Sequence, residues 1–145
     1  MRDRYKLRLV PPVHRATHRI GLLVQASGLG VTQGEAHVLA HLAEGGPCPI
    51  GALHEAFAHR RSTLTSILDR LEARGLLRRE MNAADRRSFV VRPTARGRAL
   101  AARVHGALRG LEAEALRGAT AADLAGFDVV VSALAAAARR AGGRR

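Results

Sequence analysis

Between residues 58 and 97 the alternation of apolar and polar positions changes period, and this stretch organises the chain. Leu64, Ile67, Leu68 and Leu71 recur at i, i+3, i+4 and i+7, the apolar stripe of one helix face. A turn of about 100° per residue puts Ser62, Ser66 and Asp69 on the opposite face, with Thr63, Thr65 and Arg70 on its flanks. Gly75 stops that pattern. LLRREM and SFVVRP follow as two strand-like runs, separated by the charged turn Asn82-Ala83-Ala84-Asp85-Arg86-Arg87.

The flanking pattern is helical throughout. Residues 1 to 10 read as a basic arm, closed by Pro11-Pro12, which should break any local helix. Ile20, Leu23 and Val24 then predict a first helix from Val13 to about Ala26. Thr32 and Glu35 have capping-box spacing and open a second, with Ala36, Leu39, Ala40 and Ala43 on its apolar face, ended by Gly45-Gly46-Pro47. Ile50, Leu53 and Phe57 predict a short third helix after Pro49. Thr94 starts a long fifth with a narrow seam of Leu100, Val104, Leu108 and Leu111. Thr120 and Asp123 repeat the box ahead of a sixth, carrying Leu124, Phe127, Val130, Val131 and Leu134.

Helix, short helix, polar-faced helix and basic hairpin, in that order, predict a winged helix-turn-helix: mostly α with a small β-wing. A stripe of small hydroxyl side chains entered through Arg60 and Arg61 suits a helix laid in a DNA major groove. Small residues let the backbone approach, and hydroxyls donate to or accept from base edges. Any amphipathic helix has a polar outer face, so it is the hairpin that turns this into a nucleic-acid reading. The first, fifth and sixth helices carry apolar stripes outside the winged unit, which predicts a two-fold dimer. The expected layout is residues 1–30 as arm and dimerisation helix, 31–93 as winged lobe, and 94–145 as C-terminal dimerisation helices.

Charge sharpens the choice of partner. The 145 residues carry a formal net charge of +12. Residues 60–98 hold eleven Arg against four acids, +7 of that total. Double-stranded DNA is the natural partner and an anionic membrane surface its competitor. No uninterrupted run of about 18 apolar residues occurs, which argues against a membrane span. MRDRYKLRLVPP lacks the apolar core of a signal peptide, so the expected location is the cytoplasm.

Other chemistry finds little support. Cys48 is the single cysteine, so no internal disulfide can form, and a passive role is expected for it over redox sensing. His14 with His18 and His37 with His41 have the i, i+4 spacing of a metal pair, but no second cysteine or carboxylate cluster joins them in sequence. No nucleophile elbow, phosphate-cradling glycine loop or metal-protease helix is present. Asp69 and Glu72 read as a solvated charge pair. Neither an enzyme nor a cofactor is expected.

The residues Asp69-Arg70-Leu71-Glu72, Gly75-Leu76, Asp85 with Arg87, and Thr94 with Gly97 resemble the multiple antibiotic resistance regulator (MarR) family of bacterial transcription factors. In that family a helix ending D-R-L-E-x-x-G-L leads to a wing with D-x-R and a strand ending L-T-x-x-G. The resemblance implies a homodimer whose winged lobes sit on consecutive major grooves of a pseudo-palindrome. It also implies repression relieved by a small-molecule or oxidant effector. By this analogy Ser62, Thr63, Thr65 and Ser66 belong to the recognition helix. Arg87 enters the minor groove, Asp85 orients the wing, and Arg86 contacts phosphate. The chain departs from the pattern at Ala58, where the family has a turn glycine, and at His59-Arg60, where it has an apolar residue and a small N-cap. Pro93 replaces a common leucine. Two rivals stand beside this reading: a nonspecific architectural DNA binder, and a ligand-binding module without DNA binding.

Overall fold

The computed structural model describes residues 7–57 and 60–142. Its elements are α1 (Val10–Ala26), α2 (Gln33–Gly45), β1 (Cys48–Pro49), α3 (Ile50–Phe57), α4 (Arg61–Ala73), β2 (Leu77–Met81), β3 (Phe89–Pro93), α5 (Ala95–Ala115) and α6 (Ala121–Gly142). The fold is the expected one, mostly helical with a small antiparallel sheet. The strands run in the order β1-β3-β2, with Cys48 opposite Val91, Leu77 opposite Pro93 and Met81 opposite Phe89. The chain forms two compact units that divide after Leu108.

In the first unit one apolar core lies beneath α4. Leu64, Leu68 and Leu71 pack with Leu39, Leu53, Leu77, Val91 and Val104, all essentially without solvent contact. The stripe read from the sequence is therefore the face of α4 that points inward. On α2 the expectation needs correction: Val38 and Leu42 are buried and Ala43 is exposed. Core packs against two sides of that helix, so its buried arc is wider than a single stripe. On α1 Leu23 is exposed, while Val24 and Gly21 are buried.

Pro11 and Pro12 do not break a helix; they begin one. Both lie in the first turn of α1, which starts at Val10. The first N–H groups of a helix have no intrahelical acceptor, so proline gives up nothing there, and its fixed φ suits the turn.

Both predicted capping boxes form. The Thr32 hydroxyl accepts from the Glu35 N–H at 3.3 Å and Glu35 accepts from the Thr32 N–H at 2.9 Å. Thr120 and Asp123 exchange the same pair at 3.2 and 2.8 Å.

Two glycines fix the passage from α4 into the wing and out of it. Gly75 takes φ +66°, the left-handed conformation that ends a helix without a Cβ penalty. Gly97 sits in the first turn of α5, where a Cβ would lie 1.7 Å from the Leu76 carbonyl oxygen. Thr94 closes this crossing: its hydroxyl donates to the Gly75 carbonyl at 2.7 Å and accepts from the Gly97 N–H at 3.0 Å. Pro93 is buried at the end of β3 despite replacing leucine.

The second unit holds the last turns of α5 and all of α6. No residue of α6 is buried, and Leu124, Phe127, Val129 and Val130 are exposed. This helix corrects the expectation drawn from uninterrupted apolar runs. By length and composition it is long and apolar enough to cross a membrane, with a mean hydropathy of 1.6 over its best window. Asp123 and Asp128 interrupt the run while alanine keeps the average high. Asp128, near the middle of α6, would cost about 3 kcal/mol in a bilayer, roughly what six Leu, Phe and Val side chains return. Composition alone thus gives α6 no net preference for lipid over a protein partner.

Candidate nucleic-acid interface

The outward face of α4 is built as expected. Ser62, Thr63, Thr65 and Ser66 are exposed. Among the described residues none of their hydroxyls is hydrogen-bonded within the protein. Small β-hydroxyl side chains often bond back to a carbonyl one turn earlier. These four make no such bond.

The inner and C-terminal parts of α4 have the opposite character, because every charged residue there is committed. The Arg70 Nε donates to Glu35 Oε1 at 2.9 Å, and an Arg74 guanidinium N–H reaches Glu35 Oε2 at 3.5 Å. Glu35 is buried, with 3% of its surface exposed. Burial pushes its carboxyl upward, but the Thr32 N–H, Arg70 and Arg74 outweigh this and hold it below the usual carboxylate range. Arg70, on the flank of the hydroxyl face and a candidate DNA contact, is half-exposed and already paired on one side with Glu35.

Asp69 and Glu72 are not a solvated pair. Both clamp Arg79 of β2: Glu72 accepts from the Arg79 N–H and Nε, each at 2.9 Å, and Asp69 from a terminal guanidinium nitrogen at 2.7 Å. The Arg79 N–H and guanidinium together hold the Glu72 carboxyl below its ordinary range. This network joins the end of the helix to the root of the wing. Arg79 was missed in the sequence because its partners lie across a turn, seven and ten residues away. Along β2 and β3, Glu80 similarly pairs with Arg78 at 2.7 Å and Arg92 at 2.9 Å.

The wing tip is a folded turn. Asp85 Oδ1 accepts from the Arg87 N–H at 3.0 Å, its carbonyl accepts from the Ser88 N–H at 3.0 Å, and Asn82 Oδ1 accepts from the Ala84 N–H at 3.0 Å. Asp85 thus sets the backbone that carries Arg87. Arg86 and Arg87 are exposed, and neither has an ion-pair partner among the described residues. A concavity of about 230 Å³ lies between wing and helices, lined by His54 of α3, Arg61 of α4, and Arg87, Ser88 and Phe89. His54 did not stand out in the sequence, being a single histidine on a short helix.

At the start of α4, Ala58 and His59, where the chain departs from the family pattern, lie outside the described residues. Arg60 is the N-cap, with extended ψ of 146° and no side-chain hydrogen bond to the helix. An arginine cannot accept from the N–H groups that a serine would satisfy. Arg60→Ser should therefore raise stability by about 1 kcal/mol, measured by urea unfolding; a loss of stability would show that the N-cap lies elsewhere.

The alternative sensors gain nothing from the geometry. Cys48 is half-buried in β1, and burial pushes its thiol up, away from the reactive thiolate. His14 and His18 stack with ring centroids 6.4 Å apart, and His41 meets the edge of Phe57 at 5.4 Å. Among the described residues no three His, Cys, Asp or Glu side chains converge as metal ligands would.

Comparison with known proteins agrees with this architecture. Residues 28–88 match the MarR family. No curated protein shows a significant match. Among solved structures, a probable transcriptional regulator from Pseudomonas aeruginosa is 26% identical, with 87% of this chain and 96% of that one covered and a TM-score of 0.67. A cysteine-to-serine mutant of MarR from E. coli, complexed with operator DNA, is 23% identical over 87% and 94% of the two chains, with a TM-score of 0.69. BpsR of Bordetella bronchiseptica, whose DNA binding is regulated by 6-hydroxynicotinic acid, is 23% identical over 88% and 99%, with a TM-score of 0.67. With the Gly75 turn, the Thr94–Gly97 crossing and the Asp85–Arg87 wing in place, the chain has the winged helix-turn-helix fold of these structures, and its residues 28–88 match the MarR family.

Proposed function

We propose that this protein is a cytoplasmic transcription regulator and not an enzyme, a repressor that binds a pseudo-palindromic operator as a homodimer. The observation that carries this reading is the division of α4 into a committed inner face and an outer face of four unbonded hydroxyls. In the proposal Ser62, Thr63, Thr65 and Ser66 read base edges in the major groove, with Arg60 and Arg61 at the helix entrance. Arg86 contacts phosphate, and Arg87, placed by Asp85, enters the minor groove. Arg70 supports the helix against Glu35 and offers its outer edge to the backbone. The operator complex of the E. coli relative supports DNA as partner, and the regulation of BpsR by 6-hydroxynicotinic acid supports release by a small molecule. An oxidant effector finds in Cys48 a half-buried thiol whose pKa burial has pushed up, away from the reactive thiolate.

Competition binding separates this from a nonspecific architectural role. A preferred duplex, found by selection from random sequence, should bind roughly 10³-fold or more above bulk DNA at physiological salt. Arg87→Ala should lower affinity for that duplex by about 1–3 kcal/mol and flatten the preference for flanks with a narrow minor groove. Equal affinity for all sequences would leave only the architectural role. Failure to bind any duplex would leave the ligand-binding module.

A further inference from the structure

The concavity between wing and helices is lined by nitrogen-donor side chains from three separate elements. Arg61 comes from the first turn of α4, His54 from α3 and Arg87 from the wing, and among the described residues no carboxylate lines the space. Among the described residues Arg61 and Arg87 have no ion pair, as is also true of Arg60, Arg86, Arg96 and Arg98, whereas Arg70, Arg74, Arg78, Arg79 and Arg92 are paired; of the unpaired arginines, Arg61 and Arg87 are the two that meet around one hollow. Leaving like charges together and uncompensated costs stability, so a hollow lined by two arginines with no carboxylate beside them is the arrangement expected where the compensating charge arrives with a ligand. The floor is open as well: a Cβ on Gly51, which also lines the space, would meet nothing within 4 Å. About 230 Å³ has room for a phosphodiester group and several waters.

Its position selects among anions. The hollow lies beside Ser62, where the hydroxyl face of α4 begins, and it is bounded on the far side by the wing. On the DNA-binding reading above, the hollow lies between the helix given to the major groove and the arginine given to the minor groove. We infer that the concavity is a seat for one DNA backbone phosphate, held jointly by the Arg61 guanidinium and the His54 imidazole, with the wing closing its outer wall. This rests on the DNA-binding reading above and adds His54 to the interface as a backbone contact. A phosphate seat carries no base information; it fixes the register in which the four hydroxyls meet the base edges.

The test uses the full chain, titrated by fluorescence anisotropy with a random-sequence duplex and a preferred one, from about 50 to 200 mM salt. Arg61→Gln and His54→Gln should each weaken both duplexes by the same factor, about tenfold or less. Arg61→Gln should also reduce the slope of log affinity against log salt by about 0.9, one phosphate's worth. The double variant should lose less than the product of the single losses, because both side chains hold the same group. His54→Arg, which keeps a cationic donor in place, should bind both duplexes at least as tightly as the wild type. Unfolding midpoints equal to the wild type show that the fold is intact. Single losses that multiply would place the two residues on different phosphates and overturn the shared seat. So would an unchanged salt slope, or a loss confined to the preferred sequence. A wild-type chain that binds no duplex would remove the DNA reading itself, a different failure from that of the seat.

Discussion

Gly97→Ala should lower the stability of the winged unit by more than about 4 kcal/mol, enough to unfold much of the protein at room temperature. Many glycines tolerate alanine because a side chain or a loop gives way. Here the new methyl carbon would sit 1.7 Å from the Leu76 carbonyl oxygen and 2.7 Å from its carbon. Both are backbone atoms, so no rotamer change relieves the clash. Moving the Leu76 carbonyl away would also break its hydrogen bond from the Thr94 N–H, now 3.0 Å long. Gly75→Ala makes the control. That position has φ +66°, but its nearest foreign atom is an Arg96 guanidinium nitrogen at 3.7 Å, so the cost should stay near 1 kcal/mol. Urea unfolding of the two variants gives the comparison, and a Gly97 variant no weaker than the Gly75 variant would refute the close crossing.

Truncation after Ala119 should abolish the dimer and reduce affinity for a two-half-site operator by about 10² to 10⁴, the gain that linking two binding modules supplies. Phe127 is 65% exposed and Val129 69% exposed, and none of the 22 residues of α6 is buried. An exposed apolar helix of that length demands cover, and a second copy of the same helix is the cover a two-fold assembly provides. Light scattering of the intact and shortened chains reads the mass directly. A shortened chain that still runs as a dimer, or an intact chain that runs as a monomer, would end the reading of α6 as a dimerisation helix.

What could be read in the sequence was local. The stripe of Leu64, Ile67, Leu68 and Leu71, both capping boxes and the Gly75 stop all follow from periods and spacings within a dozen residues, and the structure realises each. What could not be read was how distant charges choose one another. Glu35 looked like the second half of a cap and is also the buried anchor of Arg70 and Arg74, 35 and 39 residues away. Asp69 and Glu72 looked solvated because their partner Arg79 reaches them only after the chain has turned at Gly75. Periodicity also cannot weigh an average against an interruption, so α6 escaped a search for unbroken apolar runs. His54 became visible only when α3, α4 and the wing were brought round one hollow.

The motif by which the chain resembles the MarR family consists almost entirely of residues that hold the scaffold: Asp69 and Glu72 on Arg79, Arg70 on Glu35, Leu71 in the core, Gly75 and Gly97 at the crossing. The four hydroxyl residues ahead of it are exposed, and their side chains have no hydrogen-bond partner among the described residues. Such separation leaves Ser62, Thr63, Thr65 and Ser66 open to exchange at little thermodynamic expense, since exposed helix positions without partners usually change stability by less than about 0.5 kcal/mol. On the proposed function, such a protein could acquire a new operator by drift at a handful of surface positions while its frame stays recognisable. It is also a ready starting point for redesigning sequence preference, one exposed side chain at a time.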